Sequence, residues 1–202
     1  MHTLIVVSHP TADSLTHAVA HRIAEGVRSS SRDHSVEIAD LAAEQFDPRF
    51  SSGDLGAHLQ RSVPPEDVLA EQARIDRADA LVLVYPIYWW SMPALLKGWI
   101  DRVFSNGWAY DDRPGAALAK KLGHLRVHLV AIGGADLTTY ARHGYFGAMR
   151  TQIDHGIFGY CGAQVVSSDL LVSSDSSEAH PHLATAHAIG RNLTAIADPR
   201  AA

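Results

Sequence analysis

Residues 80–105, ALVLVYPIYWWSMPALLKGWIDRVFS, decide how this chain folds. ALVLVY is a continuous apolar run of the kind that forms a strand buried on both faces of a parallel sheet. From Met92 the period changes. Leu95, Leu96, Trp99, Ile100 and Val103 set out one apolar helical stripe. Between the two periods lies PIYWWSMP, where prolines bracket adjacent tryptophans. A loop at a strand end should be polar, and this one is aromatic. Flat rings stack on planar conjugated ligands, and Pro86 and Pro93 stiffen the backbone between them into a platform. The same tryptophans could instead be core residues or cover a subunit interface.

The alternation repeats along the chain. TLIVVS (3–8) reads as a first strand, followed by a helix whose stripe is Leu15, Ala18, Val19, Arg22, Ile23 and Val27, capped by Asp13 or Ser14. SVEIADL (35–41) is a second strand. Residues 42–65 hold Pro48, Gly53, Gly56, Pro64 and Pro65 and read as a long loop, with short helical turns allowed. PEDVLAEQARIDRA (65–78) is a helix. LRVHLVAI (125–132) is a fourth strand, ending at Gly133-Gly134 and a loop with Thr138, Thr139, Tyr140 and His143. Residues 145–162 read as helix, 164–172 as a fifth strand and 178–197 as a last helix. Strands that alternate with helices predict an α/β fold: a flavodoxin-like, doubly wound, five-stranded parallel sheet, order 2-1-3-4-5, with helices on both faces. Residues 1–202 read as a single domain.

Composition removes several function classes. The chain has 202 residues, 47% of them hydrophobic, enough for one core. The net charge is −5 with scattered basic residues, which argues against nucleic acid as a partner. No apolar run reaches the ~20 residues of a membrane span. The N-terminus lacks a basic region and a cleavage site, and one cysteine, Cys161, allows no internal disulfide. A cytoplasmic protein without membrane insertion is expected. There are 13 histidines. His17 and His21 lie four apart on a helix and HPH spans 180–182, but no partner set for a metal is arranged around them, so no metal site is expected and solvated helix faces are the reading. Cys161 reads as buried packing.

Three strands end in unusual loops, which a doubly wound sheet places along one edge. SHPTADSLT (8–16) offers short donors around a helix start, where amides and the helix dipole favour an anion; on this segment alone an ordinary loop with Ser14 as the cap is the stronger reading. No Gly-x-Gly-x-x-Gly or Gly-Lys-Ser/Thr fingerprint is present. The glycine pair lets backbone approach a ligand or simply turns tightly. Tyr140 and His143 add a phenol and an imidazole.

Together these segments resemble the NAD(P)H:quinone oxidoreductases, the flavodoxin-like family of the mammalian quinone reductases, the bacterial modulators of drug activity and the ancillary reductases of potassium-efflux systems. The most specific element is Tyr85–Tyr110, with LIVVSHP before Ser14, the Gly133-Gly134 strand end and GYCGAQVV (159–166) in the same order. The resemblance implies that His9, Ser14, Leu15 and Thr16 lie where the family holds the flavin phosphate and ribityl chain. Pro86, Ile87, Tyr88, Trp89 and Trp90 lie where it holds the isoalloxazine ring, and Gly133 and Gly134 lie at the ring's pyrimidine end. Tyr140 matches a tyrosine that bonds the flavin and steadies charge, with His143 close by. Phe146 stands where the mammalian enzymes carry a histidine, and Ala131 and Ile132 replace threonines.

The resemblance further implies a two-electron reductase: NAD(P)H gives a hydride to bound flavin, and a quinone or similar electrophile then takes the electrons from the same pocket, a ping-pong cycle. FAD is favoured over FMN because the long loop resembles that of FAD-using members. A homodimer with sites at the interface is implied, to which Trp108 and Tyr110 would contribute. The rival from another class is a regulatory flavin-binding subunit of a potassium-efflux-type transporter.

Overall fold

The computed structural model describes residues 1–113, 115–172 and 180–193. Its strands are β1 His2–Val7, β2 Ser35–Asp40, β3 Ala80–Pro86, β4 Tyr110–Asp111, β5 Ala119–Lys120, β6 Arg126–Gly133 and β7 Gln164–Val172. Five of them form one parallel sheet in the order β2-β1-β3-β6-β7, while β4 and β5 pair as a small antiparallel ribbon. With the ribbon set aside, this is the 2-1-3-4-5 order expected from sequence. The helices are α1 Leu15–Ser30, α2 Ser52–His58, α3 Glu66–Asp76, α4 Ala94–Val103, α5 Leu137–His143, α6 Tyr145–Met149 and α7 His180–Asn192, with a π-helix at Arg150–Gly159.

Alternate side chains of the buried strands feed two cores. Leu4, Val6, Leu81, Leu83, Tyr85 and Leu129 face Leu96, Trp99, Val103 and Phe158 from α4 and the π-helix. Ile5, Val7, Val82, Val84 and Val130 face Val19, Ile23 and Val27 of α1 and Ala186 of α7. Burial on both faces is why these strands read as unbroken apolar runs. α1 and α7 cross closely at two glycines: a Cβ on Gly190 would lie 2.1 Å from the Ile23 carbonyl oxygen, and one on Gly26 2.3 Å from that of His187.

The stretch 42–65, read as a long loop with short helical turns allowed, contains one such helix, α2, and two further elements differ from the sequence reading. Ser51 caps α2 in a capping box with Asp54. Arg102, buried on α4, donates to the Asp54 and Asp67 carboxylates and to the Asp47 carbonyl. Burial alone would raise the Asp54 carboxyl, but hydrogen bonds from Ser51 and Arg102 outweigh it and hold it below the usual range. A Cβ on Gly98 would lie 2.3 Å from the Pro48 carbonyl oxygen, so the glycine of LKGW lets this segment press onto α4. The segment carrying Thr138 to His143 is helix α5, and residues 145–162 divide between α6 and the π-helix. The last helix is described over His180–Asn192; the flanking residues expected in it, 178–179 and 194–197, lie outside the described residues.

Candidate functional site

The ends of β1, β3 and β6 are adjacent, stitched by the Ser8 amide to the Val84 carbonyl at 3.2 Å and the Ile87 amide to the Ile132 carbonyl at 2.8 Å. β1 and β3 are also where the strand order reverses, with α1 and α4 leaving to opposite faces. A crevice at that point is the usual ligand position in an open α/β sheet.

The aromatic stretch is a two-residue turn. Tyr88 and Ser91 exchange both backbone hydrogen bonds at 3.1 Å, and Trp89 and Trp90 between them have φ of 50° and 61°. This left-handed pair defines a type I′ turn, a place normally taken by Asn-Gly. A side chain in that conformation costs roughly 1–2 kcal/mol. The turn consumes the Tyr88 and Ser91 amides and β6 takes that of Ile87, while the Trp89, Trp90 and Met92 amides have no partner among the described residues. Trp89 is 93% exposed. Trp90 is half-buried, stacked on Tyr145 at 3.8 Å between centroids and edge-on to Tyr140 at 5.4 Å. Ser91 Oγ donates to Gln152 Oε1 of the π-helix at 2.7 Å, tying the turn down.

The glycine pair splits in role. Gly133 is buried, and a Cβ there would sit 2.6 Å from the Tyr140 hydroxyl, so the phenol fills the space its side chain would take. Gly134 is exposed with nothing within 4 Å of a Cβ position. Ile87, Trp89, Trp90, Gly134, Ala135 and Tyr140 line a recess of about 210 Å³. Tyr140 is buried on α5, whose start Asp136 caps. Burial pushes its phenol pKa up, so it is a protonated donor at neutral pH. His143 does not join it. α5 ends there, Gly144 turns the chain at φ 69°, and His143 is exposed and stacked on Tyr145 at 5.3 Å. The rings against Tyr140 are Trp90, Tyr145 and Phe146.

At the other end, Ser14 caps α1 by accepting from the His17 amide at 3.2 Å. The Leu15 and Thr16 amides, first in the helix, have no carbonyl of their own helix to donate to. The Leu15 side chain packs on the core, and Thr16 is buried. His9 Nδ1 accepts from the Thr11 amide at 3.0 Å. The hydroxyl of Ser8, also buried, has no partner among the described residues. The sequence reading of His17 is corrected here. It is not on a solvated face but 6% exposed, with Nδ1 2.8 Å from Ser14 Oγ and Nε2 2.8 Å from Asp40 Oδ2. Burial would raise the Asp40 carboxyl, but the Ala42 and Ala43 amides and His17 outweigh it, so Asp40 is a carboxylate below its usual range.

His17, Asp40, Tyr145 and Gln152 are thus site neighbours that the sequence reading passed over. Only the polar end of SVEIAD and the Ser-x-x-His spacing at a helix start gave a local signal. Trp108 and Tyr110, expected at a dimer interface, are half-buried within the single chain; Tyr110 meets His58 at 2.9 Å and packs edge-on to Tyr160. A larger recess of about 540 Å³ lies between the 57–64 segment and the 105–108 turn and is lined by none of the residues of the three strand-end loops. Among the described residues no group of three metal-ligating side chains is found, and no helix is long and apolar enough to cross a membrane.

The family model for the flavodoxin-like fold matches residues 1–191. An uncharacterized NAD(P)H oxidoreductase of Haemophilus influenzae is 32% identical over 171 residues, covering 84% of this chain and 83% of that protein. The human ribosyldihydronicotinamide dehydrogenase [quinone] is 29% identical, covering 83% of this chain and 79% of its own length. The solved NAD(P)H:quinone oxidoreductase from Methanothermobacter marburgensis superposes with a TM-score of 0.87 at 28% identity, covering 96% of this chain and 98% of that one. The chain belongs to the flavodoxin-like family of NAD(P)H:quinone oxidoreductases.

Proposed function

We propose that the protein is a flavin-dependent two-electron reductase that takes electrons from NAD(P)H and delivers them to quinones or similar planar electrophiles. The observation that carries this reading is the aromatic-walled recess at Trp89, Trp90, Gly134 and Tyr140, one strand away from an anion-favouring helix start. A flavin phosphate has Ser14 and the Leu15 and Thr16 amides as donors. The ring edge has the Trp89 and Trp90 amides, which lack a partner among the described residues, and Gly134 leaves room for close approach. The protein's part is to hold and orient, while a bound flavin supplies the redox chemistry. Tyr140 places a protonated phenol beside the recess, where it opposes charge gained on reduction. Trp90, Tyr145 and Phe146 keep water from that side.

FAD is the favoured cofactor, with FMN the alternative, and a homodimer is the working assembly. Phe50, Leu55, Leu59, Trp89 and Tyr160 stay exposed on the single chain and suit burial against a second copy. The visible spectrum of purified protein with added FAD or FMN, followed by NADPH without oxygen, tests the reading. A bound, bleachable flavin and parallel steady-state lines for NADPH and a quinone are expected. Absence of flavin binding sinks it, and intersecting lines rule out a single shared pocket. Flavin that binds without turnover moves the weight to a regulatory subunit.

A further inference from the structure

The chain Ser14–His17–Asp40 has a chemistry that a helix cap does not need. A cap requires only the Ser14 oxygen and the His17 amide. Here the oxygen also meets the His17 ring, and the ring meets a carboxylate on another element, β2. Because Asp40 is ionised and only accepts, His17 Nε2 carries a hydrogen. The state of Nδ1 then fixes the direction of the Ser14 hydroxyl. With neutral imidazole, Nδ1 is an acceptor, the Ser14 O–H donates to it, and the oxygen's remaining lone pair faces the loop. With imidazolium, Nδ1–H donates to Ser14 Oγ, which already accepts from the His17 amide. The Ser14 hydrogen is then released to donate outward.

We propose that His17 is a positioning residue that sets Ser14 as a donor toward a phosphate at the start of α1, so that the protein binds a phosphate-bearing flavin together with a proton. This rests on the flavin reading of the site. A second observation is the buried hydroxyl of Ser8 at the end of β1, which lacks a hydrogen-bond partner among the described residues. The groups facing His17 are Asp40 from β2, Ser14, and His9 from the β1–α1 loop, whose ring is edge-on at 6.2 Å. Asp40 accepts from the Nε2–H in either state of the ring. His9 is itself titratable and has to be separated by experiment.

The sign follows from linkage. An anion that prefers the protonated form binds more tightly as pH falls, and by reciprocity it moves the His17 titration to higher pH. A shift of one pH unit corresponds to about a tenfold change in affinity. FAD is the chosen probe, because its pyrophosphate does not titrate across this range, and riboflavin is the control without phosphate. The apoprotein would be titrated by flavin fluorescence from pH 5.5 to 8.5, with the His17 ring followed by NMR with and without FAD.

The expected result is FAD affinity about tenfold weaker at the alkaline end, a flat riboflavin profile, and a His17 titration moved upward by FAD. His17→Gln flattens the FAD profile. Asp40→Asn, which keeps the shape of the partner, moves the transition to lower pH. His9→Gln keeps the His17 transition. A flat FAD profile in the wild type, or a His17 titration unmoved by FAD, overturns the proposal and leaves the flavin reading intact. Failure of both flavins to bind at any pH removes the flavin reading, and the proposal with it.

Discussion

At the scale of single residues, the site separates groups that hold the fold from groups that wait for a ligand, and the two can be told apart by substitution. Gly133 and Gly134 are adjacent and chemically identical, yet one is filled by a phenol and the other opens to space. Gly134→Val therefore leaves thermal stability nearly unchanged and abolishes flavin binding, read by melting and by fluorescence titration. Gly133→Ala instead pushes Tyr140 out of place and lowers stability by about 1–3 kcal/mol through overpacking. Equal melting losses in the two variants would contradict this division. Trp89 offers the opposite case. It is 93% exposed and left-handed, so its ring gives the monomer little and its backbone costs something. Trp89→Asn should stabilise the isolated chain by about 0.5–1 kcal/mol while weakening quinone turnover, a trade-off expected where strain is kept for function. Denaturant midpoints and KM for a quinone check both halves. The type I′ turn was not legible in the sequence, because tryptophan is among the last residues turn chemistry would nominate.

Elements were legible where burial is two-sided and obscure where one long-range contact decides. β1, β3 and β6 announce themselves because both faces are apolar. α2 does not, because its stability comes from a capping box and from Arg102, 48 residues away in sequence from Asp54. His17 escaped for the same reason: nothing near it in sequence shows that Asp40 closes over it. Tyr140 was legible as a phenol just after the glycine pair, and the resemblance gave it a role, whereas Tyr145 and Gln152 depend on how α5, α6 and the π-helix are arranged in space. The same long-range logic makes a prediction about Gly98. Alanine is the better helix former by about 1 kcal/mol, but its Cβ would meet the Pro48 backbone. The clash, about 1–3 kcal/mol, should win. Gly98→Ala is expected to destabilise by about 1–2 kcal/mol and to raise protease cleavage within residues 47–65. A stabilised variant would show that this segment yields freely and that the contact is incidental.

For the molecule as a whole, stability between mild acid and neutrality should be governed in part by a histidine far from the recess. His128 lies within β6, 2% exposed; its Nδ1 is 3.1 Å from Ser167 Oγ and its Nε2 has no partner among the described residues. Around it are Ser167 and Asp169 of β7 and Ile189 and Asn192 of α7, with Arg126 on its own strand. Burial first, and then the Arg126 charge, push its pKa down from 6.5 to about 4. A group whose folded pKa lies below its unfolded value takes up its proton more readily when unfolded, so acid favours unfolding. Above pH 6.5 the group is neutral in both states and has no effect. Between 6.5 and about 4 the unfolded chain gains a proton that the folded chain refuses, and stability falls with pH. Below about 4 both states are protonated and the loss stops growing. Asp54, whose folded pKa is depressed, acts in the other window: its contribution is present above the unfolded carboxylate range and fades only as pH drops through the folded value. The two effects therefore separate on the pH axis. At pH 5 the His128 effect alone amounts to about 2 kcal/mol relative to pH 7. Urea unfolding at both pH values should show that loss in the wild type and its absence in His128→Gln, whose amide needs no proton at either pH. If the variant loses as much as the wild type between pH 7 and pH 5, the buried imidazole is already accommodated as a cation, and the acid sensitivity of the fold must come from another histidine.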